Sequence, residues 1–184
     1  MKLVYDNQRG GLFHFDFESR KEFEEMTLSA SAEKILNVPN AGGNSVISEV
    51  LSFEFFQKCF NAKLVKTEME VSYFPEGGSI TDYVCQIDGT KLGVSVTRAM
   101  KYFGEYTDED AYHLLMKKLK GVNQATRNSM ENWHKQILHV WVPNKDVANT
   151  IIKVYGTMVP DEVLSNTVVV VTRAHKSAFI FKNK

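Results

Sequence analysis

The segment that most constrains this chain runs from about Ser45 to Phe60. Read as a helix, it carries Val46, Ile47, Val50, Leu51, Phe53, Phe55, Phe56 and Phe60, which fall on nearly every side of the cylinder. A surface helix needs only one apolar stripe, so this one has to be enclosed by other layers of the fold. The chain has 184 residues, 43% of them hydrophobic, which suits one domain with one sizeable core.

Strands are the layer that the flanking sequence offers. Leu12 to Phe17 alternates at Phe13, Phe15 and Phe17, a strand with one aromatic face. Ser19 to Glu22 has capping-box spacing and predicts a helix through about Leu36, followed by the loop signal Pro39 to Asn44. After the central helix, strand-like runs cover about 64–74, 80–88 and 92–98, parted by Pro75 to Gly78 and by Asp88-Gly89. Thr107 to Asp110 opens a helix through about residue 130, with Leu114, Leu115, Leu119 and Val122 as its stripe. Ile137 to Val142 reads as a buried strand, Asp146 to Tyr155 as helix, and Thr167 to Thr172 as a second buried strand. A last strand is expected at Ser177 to Phe181.

Short turns force antiparallel neighbours, so the three central runs should form a meander. The helix after them is long enough for 137–142 to return in parallel beside 92–98. The expectation is therefore an α/β fold: a mixed central sheet with an αβββαβ core flanked by helices, over residues 44–184, plus a strand-helix extension over 1–43 of the same domain.

Several function classes drop out. Lys plus Arg and Asp plus Glu each number 22, so net charge is zero and a polybasic nucleic-acid binder is excluded, though not a local basic face. Cys59 and Cys85 stand far apart without a CxxC pair, which points to a reducing, intracellular setting. No apolar run approaches the roughly 18 residues of a membrane span, and residues 1–6 lack the apolar stretch of a signal peptide. The five histidines show no HExxH or zinc spacing, and P-loop, GxGxxG and GxSxG motifs are missing. Trp133 and Trp141 read as packing residues.

Three features carry candidate chemistry. Glu49 shares a helix face with Phe53, Phe56 and Phe60, where a carboxylate is costly unless bonded or paired. Its plainer role is a first-turn acid favoured by the helix dipole. Asp82 opens the run Ile80 to Cys85, and aspartate is depleted in strands; a turn-bonding residue is the plainer account. In Gly93 to Arg98, Val94 and Val96 point one way, and Ser95 and Thr97 are expected to meet Glu49 on the other face.

Together, a helix acid, an Asp on the second strand of a meander and a polar x-Val-x element on the third resemble the restriction-endonuclease-like PD-(D/E)XK superfamily. The stretches Ser48 to Glu54, Lys66 to Glu70, Gly93 to Ala99 and Lys135 to Trp141 also resemble an uncharacterised family of proteins from eukaryotic microbes, over roughly residues 42–142. That second likeness brings no activity with it. The first implies a Mg²⁺-dependent nuclease in which Glu49 and Asp82 hold the metal. Ser95 and Thr97 occupy the (D/E)-x-K positions, a departure, since neither supplies the carboxylate or the cation. In this reading they orient water. The missing cation is sought in Arg98, Lys117 or Lys118, and Lys118 is favoured because it flanks the apolar stripe of its helix. The partner implied is nucleic acid, with no membrane; oligomeric state is not legible. The alternative is an inactive module of the same fold that binds protein or nucleic acid.

Overall fold

A computed structural model describes residue 3 and residues 5–41, 43, 45–133 and 135–182. Six strands form one sheet: β1 (Gly11–Glu18), β2 (Lys63–Thr67), β3 (Tyr83–Ile87), β4 (Thr90–Arg98), β5 (Lys135–Val142) and β6 (Val168–His175), in the spatial order β1-β6-β5-β4-β3-β2. The β2-β3-β4 meander is antiparallel, and β4, β5, β6 and β1 run parallel to their neighbours. The expected parallel return of β5 beside β4 is present, with Ser95 opposite Leu138 and Thr97 opposite Val140. The fold is thus α/β, a mixed six-stranded sheet flanked by helices.

The α-helices among the described residues are α1 (Ala30–Asn37), α2 (Val46–Phe60), α3 (Asp108–Asn128), α4 (Lys145–Thr157) and the single turn α5 (Asp161–Leu164). The sheet separates two cores. On one face α2 packs Val50, Phe53 and Phe56 against Val94, Val96, Ile137 and Trp141. On the other, Leu115, Leu119 and Val122 of α3, with Ile151 and Val154 of α4, cover Leu138, Val140, Val169 and Val171. Each such buried side chain contributes about 1.5–3 kcal/mol. β5 is buried along its whole length, as a strand covered on both faces must be.

Polar contacts fix how α2 sits. Trp141 Nε1 donates to the Ser48 carbonyl at 3.0 Å. One turn later, Ser52 Oγ lies 2.8 Å from Tyr83 Oη and 2.7 Å from His139 Nδ1, whose Nε2 meets Thr172 Oγ1 at 2.9 Å. His139 is fully buried against the ring of Trp141, and burial pushes its pKa down to about 3. The first turn of α2, with Glu49, is thereby fixed over the C-terminal halves of β4 and β5.

Four expectations are corrected. The helix predicted from Ser19 begins only at Ala30, where Ser29 Oγ accepts the Ala32 N–H at 3.3 Å. Ser19 instead bonds the Lys21 carbonyl, and the segment from there to Ser29 is anchored by Phe23, whose ring packs at a tilt against Phe179. The strand predicted over 64–74 stops at Thr67, because Thr67 and Glu70 form a capping box around a 3₁₀ turn, Glu68–Glu70. The terminal strand predicted at 177–181 is a 3₁₀ turn, Ala178–Phe181, which buries Phe179 and Ile180. Finally, Ser95 and Thr97 do not share the sheet face covered by α2. The apolar pair Val94 and Val96 takes that face, so strict alternation turns Ser95 and Thr97 toward the α3 layer. Of the loop predicted at 39–44, Gly42 and Asn44 lie outside the described residues.

Candidate functional site

β4 outruns β3 at its C-terminal end, which leaves its edge without a strand partner. Asp82 fills that gap. Its N–H donates to the Val94 carbonyl at 3.0 Å, and its Oδ2 accepts the Val96 N–H at 2.6 Å. Thr81 Oγ1 adds a bond to the same Val94 carbonyl at 2.8 Å. Asp82 thus does bond backbone, as the plainer account expected, but the backbone is the edge of strand β4 rather than a turn.

This bonding does not account for the charge around Asp82. Burial pushes its carboxyl up to about 8, repulsion from Glu49 adds to the rise, and the Val96 N–H, Lys118 and then Glu68 act more weakly, the first two against it. Glu49 is only 7% exposed, and its Oε1 accepts the Ser45 hydroxyl at 2.7 Å. Its carboxyl is also raised, by burial first and against the Ser45 bond; Glu68 raises it further, while Arg98 and Lys118 oppose. The proximity of the two negative charges works against the ionisation of both.

The structure thus brings Glu49, from the first turn of α2, into electrostatic contact with Asp82, from the approach to β3. It places the Lys118 charge within reach of both. Lys118 is half-buried on the flank of α3, whereas Lys117 and Lys120 are exposed. Ser95 and Thr97 lie on the neighbouring strand, each 8% exposed, facing the α3 layer. Arg98 reaches the Ile180 and Lys182 carbonyls at 3.5 and 3.1 Å, and its charge acts on Glu49.

Glu68 is the member that the sequence reading missed. It follows β2 directly, opposite Asp82 at the same end of the sheet, and its Oε2 accepts the Ala41 N–H at 2.7 Å. Thr67-x-x-Glu70 is a capping box, which ends β2 and leaves Glu68 at the sheet's end rather than inside a strand.

The donor set suits a hard cation in part. Glu49 and Asp82 each commit one oxygen to a local bond and keep a second, and two acids that raise each other are relieved by a dication. No group of three or more His, Cys, Asp or Glu converges as a metal cage among the described residues. A cation here would keep several waters or bind phosphate oxygens, as Mg²⁺ commonly does.

No family model matches the chain. The chain is 43% identical over 165 residues to the AAC-rich mRNA clone AAC4 protein of Dictyostelium discoideum, an alignment that takes in 85% of this chain and 24% of that protein. It therefore spans about a quarter of the length of this curated relative. Among solved structures, it is similar to SfsA of Pyrococcus furiosus, determined in complex with Ca²⁺. The likeness has 15% identity and a TM-score of 0.35, and covers 71% of this chain and 55% of that one, too loose a match to carry an argument. Among the described residues no helix is long and apolar enough to cross a membrane.

Proposed function

We propose that this chain is a diverged, divalent-metal-dependent phosphodiesterase of restriction-endonuclease-like architecture, acting on nucleic acid. The observation that carries the reading is the coupled pair Glu49 and Asp82, a buried helix acid and a pre-strand acid whose charges meet beside Lys118. The order α2-β2-β3-β4-α3-β5 agrees with the αβββαβ core expected of that architecture.

Glu49 and Asp82 would hold Mg²⁺, which when bound supplies positive charge to the phosphoryl oxygens and favours ionised water. Lys118 offsets the charge that develops on a non-bridging oxygen. Ser95 and Thr97 orient the attacking water. Its oxygen would bond to phosphorus as the ester P–O bond breaks, the proton it sheds passing to solvent while the leaving oxygen takes one up from solvent. Lys118 is half-buried, and its charge acts on both acids.

A second reading rests on Ser95 and Thr97: both standard (D/E)-x-K groups are replaced, and both replacements are buried. On that reading the fold is retained as a binding module without catalysis. Cleavage of single-stranded, double-stranded and branched nucleic acids in Mg²⁺ or Mn²⁺ separates the two. The nuclease reading expects chelator-sensitive cleavage that falls by about a hundredfold or more in Asp82→Ala and in Lys118→Ala. Absent cleavage, or cleavage indifferent to Asp82, favours the binding module.

A further inference from the structure

The chain is neutral overall, yet its charge is unevenly laid out along α3. From Ala111 to Met130 there is no Asp or Glu, while Lys117, Lys118, Lys120 and Arg127 all fall within that stretch. Lys117, Lys120 and Arg127 are exposed. At 100° per residue these three fall within about 80° of one another, opposite the buried stripe of Leu115, Leu119 and Val122, while Lys118 sits on the flank. The solvent face of α3 is thus a basic stripe, and the helix of 21 residues is about 31 Å long.

Large apolar side chains stand in solvent at both ends of this stripe. Before the N-terminus of α3, the loop after β4 presents Tyr102 and Phe103, 70% and 88% exposed. Beyond its C-terminus, Phe74 is 75% exposed, and its N–H donates to the Asn128 carbonyl at 2.7 Å. Beside the N-terminal half of the stripe lies a cavity of about 260 Å³ lined by Arg98, Lys101, His113 and Lys117 among others, and the charge of Arg98 acts on Glu49. Of the acids in the first turn of α3, Asp110 pairs with Lys101 and Asp108 with Lys153, which leaves Glu109 and the loop residue Glu105 as the negative charges at this end.

Exposed aromatic rings at the two ends of a row of cations match the chemistry of an unpaired polynucleotide strand, whose phosphates track positive charge and whose bases expose faces for stacking. A duplex offers the phosphates but hides the faces. We infer that the exposed face of α3, with Tyr102 and Phe103 at one end and Phe74 at the other, binds single-stranded nucleic acid and leads it to the Glu49–Asp82 site. This names the substrate class for the proposed phosphodiesterase and rests on that reading only for what happens at the acids; binding along α3 needs no metal.

The test is fluorescence anisotropy of the full chain with a labelled oligothymidylate and with a labelled duplex, in chelator, alongside the cleavage assay. The expected result is tighter binding of the single strand. Tyr102→Ala with Phe103→Ala should weaken it by about five- to a hundredfold per stacked base while leaving the duplex unaffected. Lys117→Glu with Lys120→Glu should weaken both ligands and flatten the salt dependence. Equal affinity for strand and duplex, or single-strand binding indifferent to the aromatic pair, overturns the inference even if cleavage is seen. So does a wild-type chain that binds neither ligand, which would make the rings a protein-docking patch. Single-strand binding that responds as expected, with no cleavage in any metal, upholds the inference and overturns the phosphodiesterase. Circular dichroism of each variant shows that its fold is intact.

Discussion

Asp82 holds two roles that pull against each other. As an acceptor it completes the edge of β4, and as a charge it sits beside Glu49. Its folded value of about 8 lies above the ordinary aspartate value near 3.9, so the folded protein keeps a proton that the unfolded chain has lost. The stability this contributes is complete below about pH 4 and is lost as pH rises toward about 8. His139 works in the opposite sense. Its folded value near 3 lies below the ordinary histidine value of about 6.5, so its contribution is present above about pH 6.5 and is lost as pH falls toward 3. Thermal melts in chelator should therefore show wild-type stability falling between about pH 6.5 and 8, the window where Asp82 acts alone of these two. Asp82→Asn keeps an oxygen for the Val96 N–H and removes the charge, so its melting temperature should be flat over that window and above wild type at the upper end. A wild-type profile parallel to that of Asp82→Asn would show that the Asp82 carboxyl is not raised by its surroundings.

At the scale of elements, α2 depends on a few buried polar contacts as well as on its phenylalanines. Ser52→Ala leaves Tyr83 Oη and His139 Nδ1 each without this partner in a dry core, which should cost about 1–3 kcal/mol in urea unfolding. Ser48→Ala should cost less, about 1 kcal/mol or below, because Trp141 bonds the main-chain carbonyl there and only the hydroxyl bond to the Ser45 carbonyl is lost. Equal costs would mean that α2 is held by packing alone. The same helix shows what the sequence made readable. Apolar residues on nearly every side of 45–60 announced an enclosed helix, and α2 is buried from Ile47 to Phe56. The meander and the parallel return of β5 followed from turn signals and connection length. The failures were local. Ser19-x-x-Glu22 and Thr67-x-x-Glu70 share one pattern; the first bounds an extended segment and the second a 3₁₀ turn, and only tertiary anchors such as Phe23 on Phe179 decide between them. Glu49 and Asp82 could be singled out because each was out of place in its own element. Glu68 could not, since in a strand read through to residue 74 it was one polar residue among several.

Across the whole molecule, the N-terminal strand is part of the sheet. β1 pairs with β6 over its full length, Phe15 and Phe17 pack edge-to-face against Phe55 and Trp141, and the buried Lys135 ammonium is satisfied by the Leu3 and Arg9 carbonyls. Removing the residues before Ser29 should strip β6 of one of its two partners and strand a buried charge, so the shortened chain should lose its cooperative unfolding transition. A sharp transition in that chain would mean that β1 is dispensable. The acid pair is likewise a product of the whole fold, since α2, the approach to β3 and α3 must all be in place before Glu49, Asp82 and Lys118 meet. Calorimetric titration of the intact protein with Mn²⁺ at neutral pH tests that site most directly. Because Asp82 titrates near 8, cation binding has to displace a proton, so the measured heat should vary with the ionisation enthalpy of the buffer. The account predicts one saturable site with net proton release, both lost in Glu49→Gln with Asp82→Asn. Saturable binding that survives both substitutions, or no binding in the wild-type chain, would contradict it.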